Sequence, residues 1–210
     1  MRLSFDILRP VPVAPVRVTA RHLRPGRRVE LVEATLTGAT DNEPLMRLTA
    51  WRMRAEAVPL PDGLGASDPP PAPPETGEPG SFSFWREPVA YHRALDWRFV
   101  AGQFESPGPA TVWTRMQAPL VLGEETTPLE HLLVMTDAAS GVSSVLDWGK
   151  WTFLNVDLDV HLERAPAGDW MAMDATTRIG PAGTGLCTAV LHDASGRVGA
   201  SAQSLLVAPR

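Results

Sequence analysis

Leu3, Phe5 and Ile7 alternate with more polar neighbours, and after a proline-rich break at residues 10–15 the alternation resumes at Val16, Val18 and Ala20. A period of two places successive side chains on opposite faces of a strand. A Pro25-Gly26 turn and two further β-rich runs, at 29–36 and 45–53, complete four antiparallel strands with short connections. No helical period interrupts them. Further on, Leu95, Trp97 and Phe99 alternate, as do Val112, Thr114 and Met116. Thr127-Pro128-Leu129-Glu130 then forms a capping box with proline at the first helical position. Leu129, Leu132, Leu133, Thr136, Val142, Val145 and Leu146 recur at helical spacing, which predicts one helix from about 128 to about 147. A strand with one apolar face follows at 154–162. Three more strands are predicted near 169–178, 184–191 and 197–207, the last two joined by the turn Asp193-Ala194-Ser195-Gly196.

Laid on each other at an offset of 155, the two ends of the chain match: Leu3 on Leu158, Phe5 on Val160, Ile7 on Leu162 and Arg9 on Arg164. Ala20 meets Ala175, Leu31 meets Leu186, Ala34 meets Ala189 and Leu36 meets Leu191. The last strands align after a shift of three residues, with Thr49-Ala50-Trp51 on Ser201-Ala202-Gln203. The pattern is a duplicated β unit. The second copy has two strands, a helix and four strands; the first has only its last four strands. Between them lie residues 58–80, with eight of the 21 prolines and no aromatic residue, read as a Pro-rich linker or surface loop. Its PPPAPP run has the form of an SH3-type ligand, although a plain spacer accounts for it as well. The expected organisation is a partial N-terminal unit at 1–57, the linker at 58–80 and a complete unit at 81–210.

Composition narrows the function. A net charge of −5 argues against a general nucleic-acid binder. Cys187 is the single cysteine, so an intrachain disulfide and a multi-cysteine zinc site are both excluded. No apolar run reaches the roughly 18 residues of a membrane span, and a cytoplasmic location is expected. Residues 1–54 nevertheless hold ten arginines against five acids. Five of those arginines crowd into residues 17–28, among them Arg24, Arg27 and Arg28. Such a patch is either a solvated surface or a landing site for an anionic ligand such as a phosphate.

SFDILRP, RPGRRVELVEATL, LTAWRMR, TPLEHLLVMTDAASGVSSVLDW, FLNVDLDVHLERAP and VGASAQSLLV together resemble the TesB-like, type II acyl-CoA thioesterases. The resemblance implies an α+β double hotdog, in which antiparallel sheets each wrap a long helix, the first copy here lacking its helix. It also implies hydrolysis of acyl-CoA thioesters by an activated water, with no covalent intermediate, metal or separate cofactor, the CoA moiety belonging to the substrate. Family members use an aspartate on the helix of the second hotdog, a threonine on the next strand and a glutamine on the last strand. Asp137 and Gln203 match two of these; Asn155 stands where the pattern has threonine. Under that reading Asp137 is the general base, Gln203 and Asn155 orient the water or the carbonyl, and the Arg24, Arg27 and Arg28 patch holds CoA phosphates.

Blander readings stand beside these. Asp137 on an outward helix face, or Gln203 and Asn155 as ordinary strand amides, needs no chemistry. Asp157, Asp159 and His161 share one strand face and offer metal ligands, but a solvated face explains them too. Cys187 lies in an apolar run that favours an inert thiol. A non-catalytic acyl-CoA or acyl-carrier binding protein is the alternative function. A hotdog hydratase is a weaker rival, since no histidine is suitably placed on the helix. The four uncapped strands of the first copy would expose Leu3, Phe5, Ile7, Val16, Val18 and Leu31, and covering each is worth roughly 1.5–3 kcal/mol. Either a longer natural N-terminus or a neighbouring chain in a homo-oligomer is expected to cover them.

Overall fold

The computed structural model describes residues 1–40, 42–62, 64, 68–83 and 90–210. Within these residues twelve strands form one continuous antiparallel sheet. They are β1 (Arg2–Ile7), β2 (Val16–Arg24), β3 (Val29–Gly38), β4 (Pro44–Met53), β5 (Glu78–Pro79), β6 (Leu95–Gln103), β7 (Ser106–Met116), β8 (Trp151–Asn155), β9 (Asp157–Leu162), β10 (Met171–Ile179), β11 (Thr184–Asp193) and β12 (Gly196–Pro209). Two helical pieces, α1 (Pro128–Asp137) and α2 (Ala139–Val142), lie between β7 and β8. The strand order is β2-β3-β4-β1-β9-β12-β11-β10-β7-β6-β5, with β8 paired to the end of β12. Where the sequence suggested a sheet for each copy, pairing of β1 with β9 fuses them, with Leu3 opposite Val160 and Phe5 opposite Leu158.

Hydrogen-bond register carries the repeat. Ala20 pairs with Ala34 in the first copy, and their matches Ala175 and Ala189 pair in the second. The last strand needs one correction. Ala34 pairs with Leu48 whereas Ala189 pairs with Ser201, so Leu48 falls on Ser201 and Ala50, not Trp51, falls on Gln203. A one-residue slip puts every side chain on the other face, but residues 199–204 are small or polar at both parities and show no alternation that would expose it, so only register resolves the match.

The long helix also needs correction. Thr127 caps α1 as expected: its hydroxyl accepts from Glu130 N and the Glu130 carboxylate accepts from Thr127 N at 2.7 Å. The helix breaks at Ala138, however, and ends at Val142 rather than near 147. Ser143 donates back to Ala139 O at 2.8 Å, and Ser144 Oγ accepts from Leu146 N at 3.3 Å. Such local side-chain bonds offer the backbone an alternative to the helical ladder. The strand expected at 154–162 is likewise two strands, split at Val156. There residues 156–158 stand opposite Gln203 and Ser204, a bulge in which the Asp157 carboxylate accepts from Ser204 N at 2.6 Å and Ser204 Oγ at 2.9 Å.

The core lies between α1–α2 and the inner face of β6, β7 and β9–β12. Leu132, Met135 and Val142 from the helices meet Val112, Met173 and Leu191 from the sheet, all six fully buried. Where β9 and β12 approach, a side chain on Gly199 would run into His161 O, so only glycine fits. Residues 68–80 cross the outer face as an extended strap. Arg197 N donates to Asp68 O at 3.0 Å, Trp113 Nε1 donates to Ala72 O at 2.7 Å, and β5 adds an edge strand to β6. Proline prepays part of the ordering entropy, which lets so apolar-poor a segment lie down. Among the described residues no helix is long and apolar enough to cross a membrane.

Candidate functional site

The break between α1 and α2 is where the chemistry gathers. Gln203, on β12 and only 1% exposed, inserts its amide into the gap. Its Nε2 donates to Asp137 O at 3.0 Å and its Oε1 accepts from Ser140 N at 3.1 Å. Two backbone groups that a continuous helix would pair internally are satisfied by one buried side chain, which is why the helix kinks here. Asp137 is thereby the last residue of α1, exposed at the helix end. Asn155, at the end of β8, donates from Nδ2 to Asp137 Oδ1 at 3.0 Å. No described residue donates to the other carboxylate oxygen.

The structure therefore brings Asp137, Asn155 and Gln203 together, but in unequal roles. Both ends of the Gln203 amide are used on the helix break, so Gln203 fixes where Asp137 stands. Asn155 touches the carboxylate itself and keeps a second amide hydrogen and its carbonyl oxygen for a further partner.

A cavity of about 240 Å³ opens beside Asp137 and Asn155. Its walls are largely aromatic. Phe153 lies 4.4 Å from Trp148, Trp148 stacks on Phe104 at 5.5 Å, and Phe104 meets Phe82 at 4.8 Å between ring centroids. Phe82 in turn packs edge-on against Trp97 at 5.6 Å. Tyr91 also lines it, with its hydroxyl donating to Val134 O at 2.6 Å. Although 42% of Tyr91 is exposed, the hydroxyl end is tucked in. Burial first, and the nearby Asp137 charge second, push its phenol far above the usual range, so it stays a protonated donor. None of these aromatics was marked from sequence as part of the site. The signal was present in Trp148, Trp151 and Phe153, three aromatic residues within six positions just after the helix.

Beneath the break, Ser143 Oγ and Thr177 Oγ1 share a buried hydrogen bond of 2.8 Å, and Cys187 lies 3.7 Å from the same serine. Burial raises the Cys187 thiol, although the Thr177 and Ser143 hydroxyls oppose the shift, so the thiolate is scarce. At the other end of α1, His131 is buried with Nε2 3.0 Å from Thr114 Oγ1. Burial, only partly offset by Asp169, lowers its pKa to about 4, so the ring is neutral.

The arginine patch is elsewhere. Arg24 closes β2 with its guanidinium 5.8 Å from the Trp51 ring, and Arg27 and Arg28 line a separate cavity of about 220 Å³ at the β2–β3 turn. Leu31 pairs with Trp51, Trp51 with Arg2, and Arg2 with His161, which places that turn at the end of the sheet opposite Asn155. Leu31, the partner of Arg24, is roughly 20 Å along the strands from Asn155 and three strand spacings across, and Arg27 and Arg28 lie roughly 10 Å further on. Within one chain the sheet does not bring the arginines to Asp137.

The helix laid on a continuous antiparallel sheet is a hotdog-fold thioesterase structure. The fold matches a protein assigned as thioesterase II from Thermobifida fusca at a TM-score of 0.77 and 22% identity, covering 99% of this chain and 77% of that one. It also matches the acyl-CoA thioesterase II TesB2 from Mycobacterium marinum (0.67, 19% identity, 100% and 80% covered). A conserved protein with a hotdog fold from Alicyclobacillus acidocaldarius matches at 0.70 with 17% identity, covering 100% and 78%. Curated proteins offer no match. The decisive finding is at family level. Residues 1–53 match the acyl-CoA thioesterase N-terminal domain and residues 47–207 the acyl-CoA thioesterase C-terminal domain. The chain belongs to the acyl-CoA thioesterase family, and the two tandem domains imply a double hotdog.

Proposed function

We propose that the protein hydrolyses acyl-CoA thioesters with a water activated by Asp137. The observation that carries this reading is the Asp137–Asn155 pair at the mouth of an aromatic cavity, with the Asp137 main chain held from behind by Gln203. Water bound to the open carboxylate oxygen gives its proton to Asp137 as its oxygen bonds to the thioester carbonyl carbon. Collapse of the tetrahedral adduct breaks the C–S bond. The leaving CoA thiolate takes the proton from Asp137, releasing free acid and CoA and restoring the carboxylate. Asn155 orients the base and, through its second amide hydrogen, the water or the developing oxyanion. Gln203 is a positioning residue. No protein nucleophile is needed: Cys187 is buried and its thiolate scarce, and its neighbours Ser143 and Thr177 are buried and bonded to each other. In the same reading the chain comprises a partial hotdog at 1–57, a Pro-rich linker or loop at 58–80 and a complete hotdog at 81–210.

The test is continuous detection of CoA thiol release from a short-chain acyl-CoA such as hexanoyl-CoA. Stoichiometric release of CoA and hexanoate supports hydrolysis. Tight binding of hexanoyl-CoA without release of thiol would overturn it in favour of a non-catalytic acyl-CoA-binding protein.

A further inference from the structure

Two cavities share a wall. The Asp137 cavity of about 240 Å³ is lined by Phe104 and Trp148, and so is a groove of about 750 Å³ reaching Leu146, Asp147 and Arg210. The two rings stack nearly parallel, 20° apart, so they stand as a plate between the spaces. Between the plate and the helix there is space for about one methyl group: a Cβ on Gly141 would make ordinary contact, 3.5 Å from Phe104 and 3.7 Å from Trp148, so no acyl chain passes there. On its flanks Phe82 seats against Phe104 and Phe153 against Trp148.

We propose that Phe104 and Trp148 set acyl-chain length, confining the site to compact acyl groups and barring longer chains from the groove behind. The inference rests on the hydrolytic reading above. A cavity of about 240 Å³ is the share of about eight water-sized groups, so an acyl group of up to about eight carbons fills it. A twelve-carbon chain meets the plate. The aromatic lining offers such a chain dispersion contact and no polar partner, so size rather than hydrogen bonding does the sorting. Phe104 is buried in the core, whereas Trp148 is half-buried and lies outside any helix or strand, so Trp148 is the safer one to change.

The experiment compares kcat/KM for hexanoyl-CoA and dodecanoyl-CoA in the wild type, Trp148→Ala, Trp148→Phe and Phe104→Leu. The ratio between substrates cancels any loss of folded enzyme. The wild type is expected to favour hexanoyl-CoA by at least about tenfold, a difference of about 1.4 kcal/mol. Trp148→Ala should shift the ratio by at least tenfold toward dodecanoyl-CoA, Phe104→Leu should shift it the same way by less, and Trp148→Phe should keep the wild-type ratio. Equal use of both substrates by the wild type, or an unmoved ratio in Trp148→Ala, overturns the proposal while leaving hydrolysis intact. If neither thioester is cleaved, the hydrolytic reading fails alone. Calorimetric binding of the same two thioesters then reads the same ratio, with the same outcomes for and against the wall.

Discussion

The two copies of the β unit share a register but live in different surroundings. Val18 in the first copy is 66% exposed, while its match Met173 is fully buried; Val16 is 42% exposed, and its match Met171 fully buried. Every residue of β2 is exposed and every residue of β3 half-buried, whereas β10 and β11 hold much of the core. The difference is the helix. In the second copy α1 and α2 pack on β10 and β11; among the described residues of the first, no helix lies on the matching face. Even the matched arginines part ways. Arg164 makes a two-pronged pair with the fully buried Asp193, at 2.5 and 2.6 Å, while Arg9 meets Glu43 in the open. Backbone pairing is enough to build the sheet, but burial comes from what covers it. The site follows the same logic, because Asp137 stands exposed where a helix breaks over β12.

Matched substitutions test this contrast. Ala175→Asp places a charge in the covered face and should cost more than about 4 kcal/mol, enough to prevent folding. Ala20→Asp, at the paired position on the open face, should cost less than about 1 kcal/mol by urea unfolding. A large loss at Ala20 would show that the first copy's face is covered in solution. Next in size, Arg164→Met strands the Asp193 carboxylate. Burial alone would raise that carboxyl, but the Arg164 bonds and the amides of Ser195 and Ala167 hold it below its usual range. Its loss should cost about 3 kcal/mol, against less than about 1 kcal/mol for Arg9→Met.

A third test uses pH and a group with no counterpart in the first copy. Folded His131 takes up a proton near pH 4, the unfolded chain near 6.5, so between these values only the unfolded state is protonated. Stability should therefore fall as pH drops from about 6.5 to about 4, by about 3 kcal/mol in all. His131→Gln should flatten that slope in urea melts, and an unchanged slope would put the cause elsewhere. The smallest effect concerns the arginines. Because the sheet sets Arg27 and Arg28 at its far end, their double replacement by alanine should change CoA affinity less than about twofold at physiological salt. A tenfold loss would mean that a neighbouring chain lends this patch to another chain's site.

Much of this was legible in the sequence, for reasons that can be named. Alternation located the strands that hold one face against the core, and β2 shows the same alternation although all of it is exposed, while the capping box marked Thr127 because its bonds are local. The helix break was not legible, since Leu129 to Leu146 keep a helical period straight through it. What breaks the helix is Gln203, some 60 residues on, and long-range insertion leaves no local trace. The match of Ala50 rather than Trp51 to Gln203 was hidden because residues 199–204 are small or polar at both parities, so no alternation there fixes the offset until register is seen. The Pro-rich strap read as a spacer because its composition was judged for burial, while its contribution is low ordering entropy. Asp137, Asn155 and Gln203 were nameable only through family resemblance; their spacing alone carries no geometry. The aromatic wall went unseen because its rings come from three separate stretches of chain.

The central claim is that Asp137 is the base, and its most direct measurement is the kcat of Asp137→Asn on hexanoyl-CoA. Asparagine keeps the size of the side chain, and the main-chain bond to Gln203 is untouched, so melting temperature and hexanoyl-CoA affinity should match the wild type. The account predicts a fall in kcat of about 10²–10⁴-fold. A folded Asp137→Asn enzyme that keeps kcat within about threefold of wild type would contradict it.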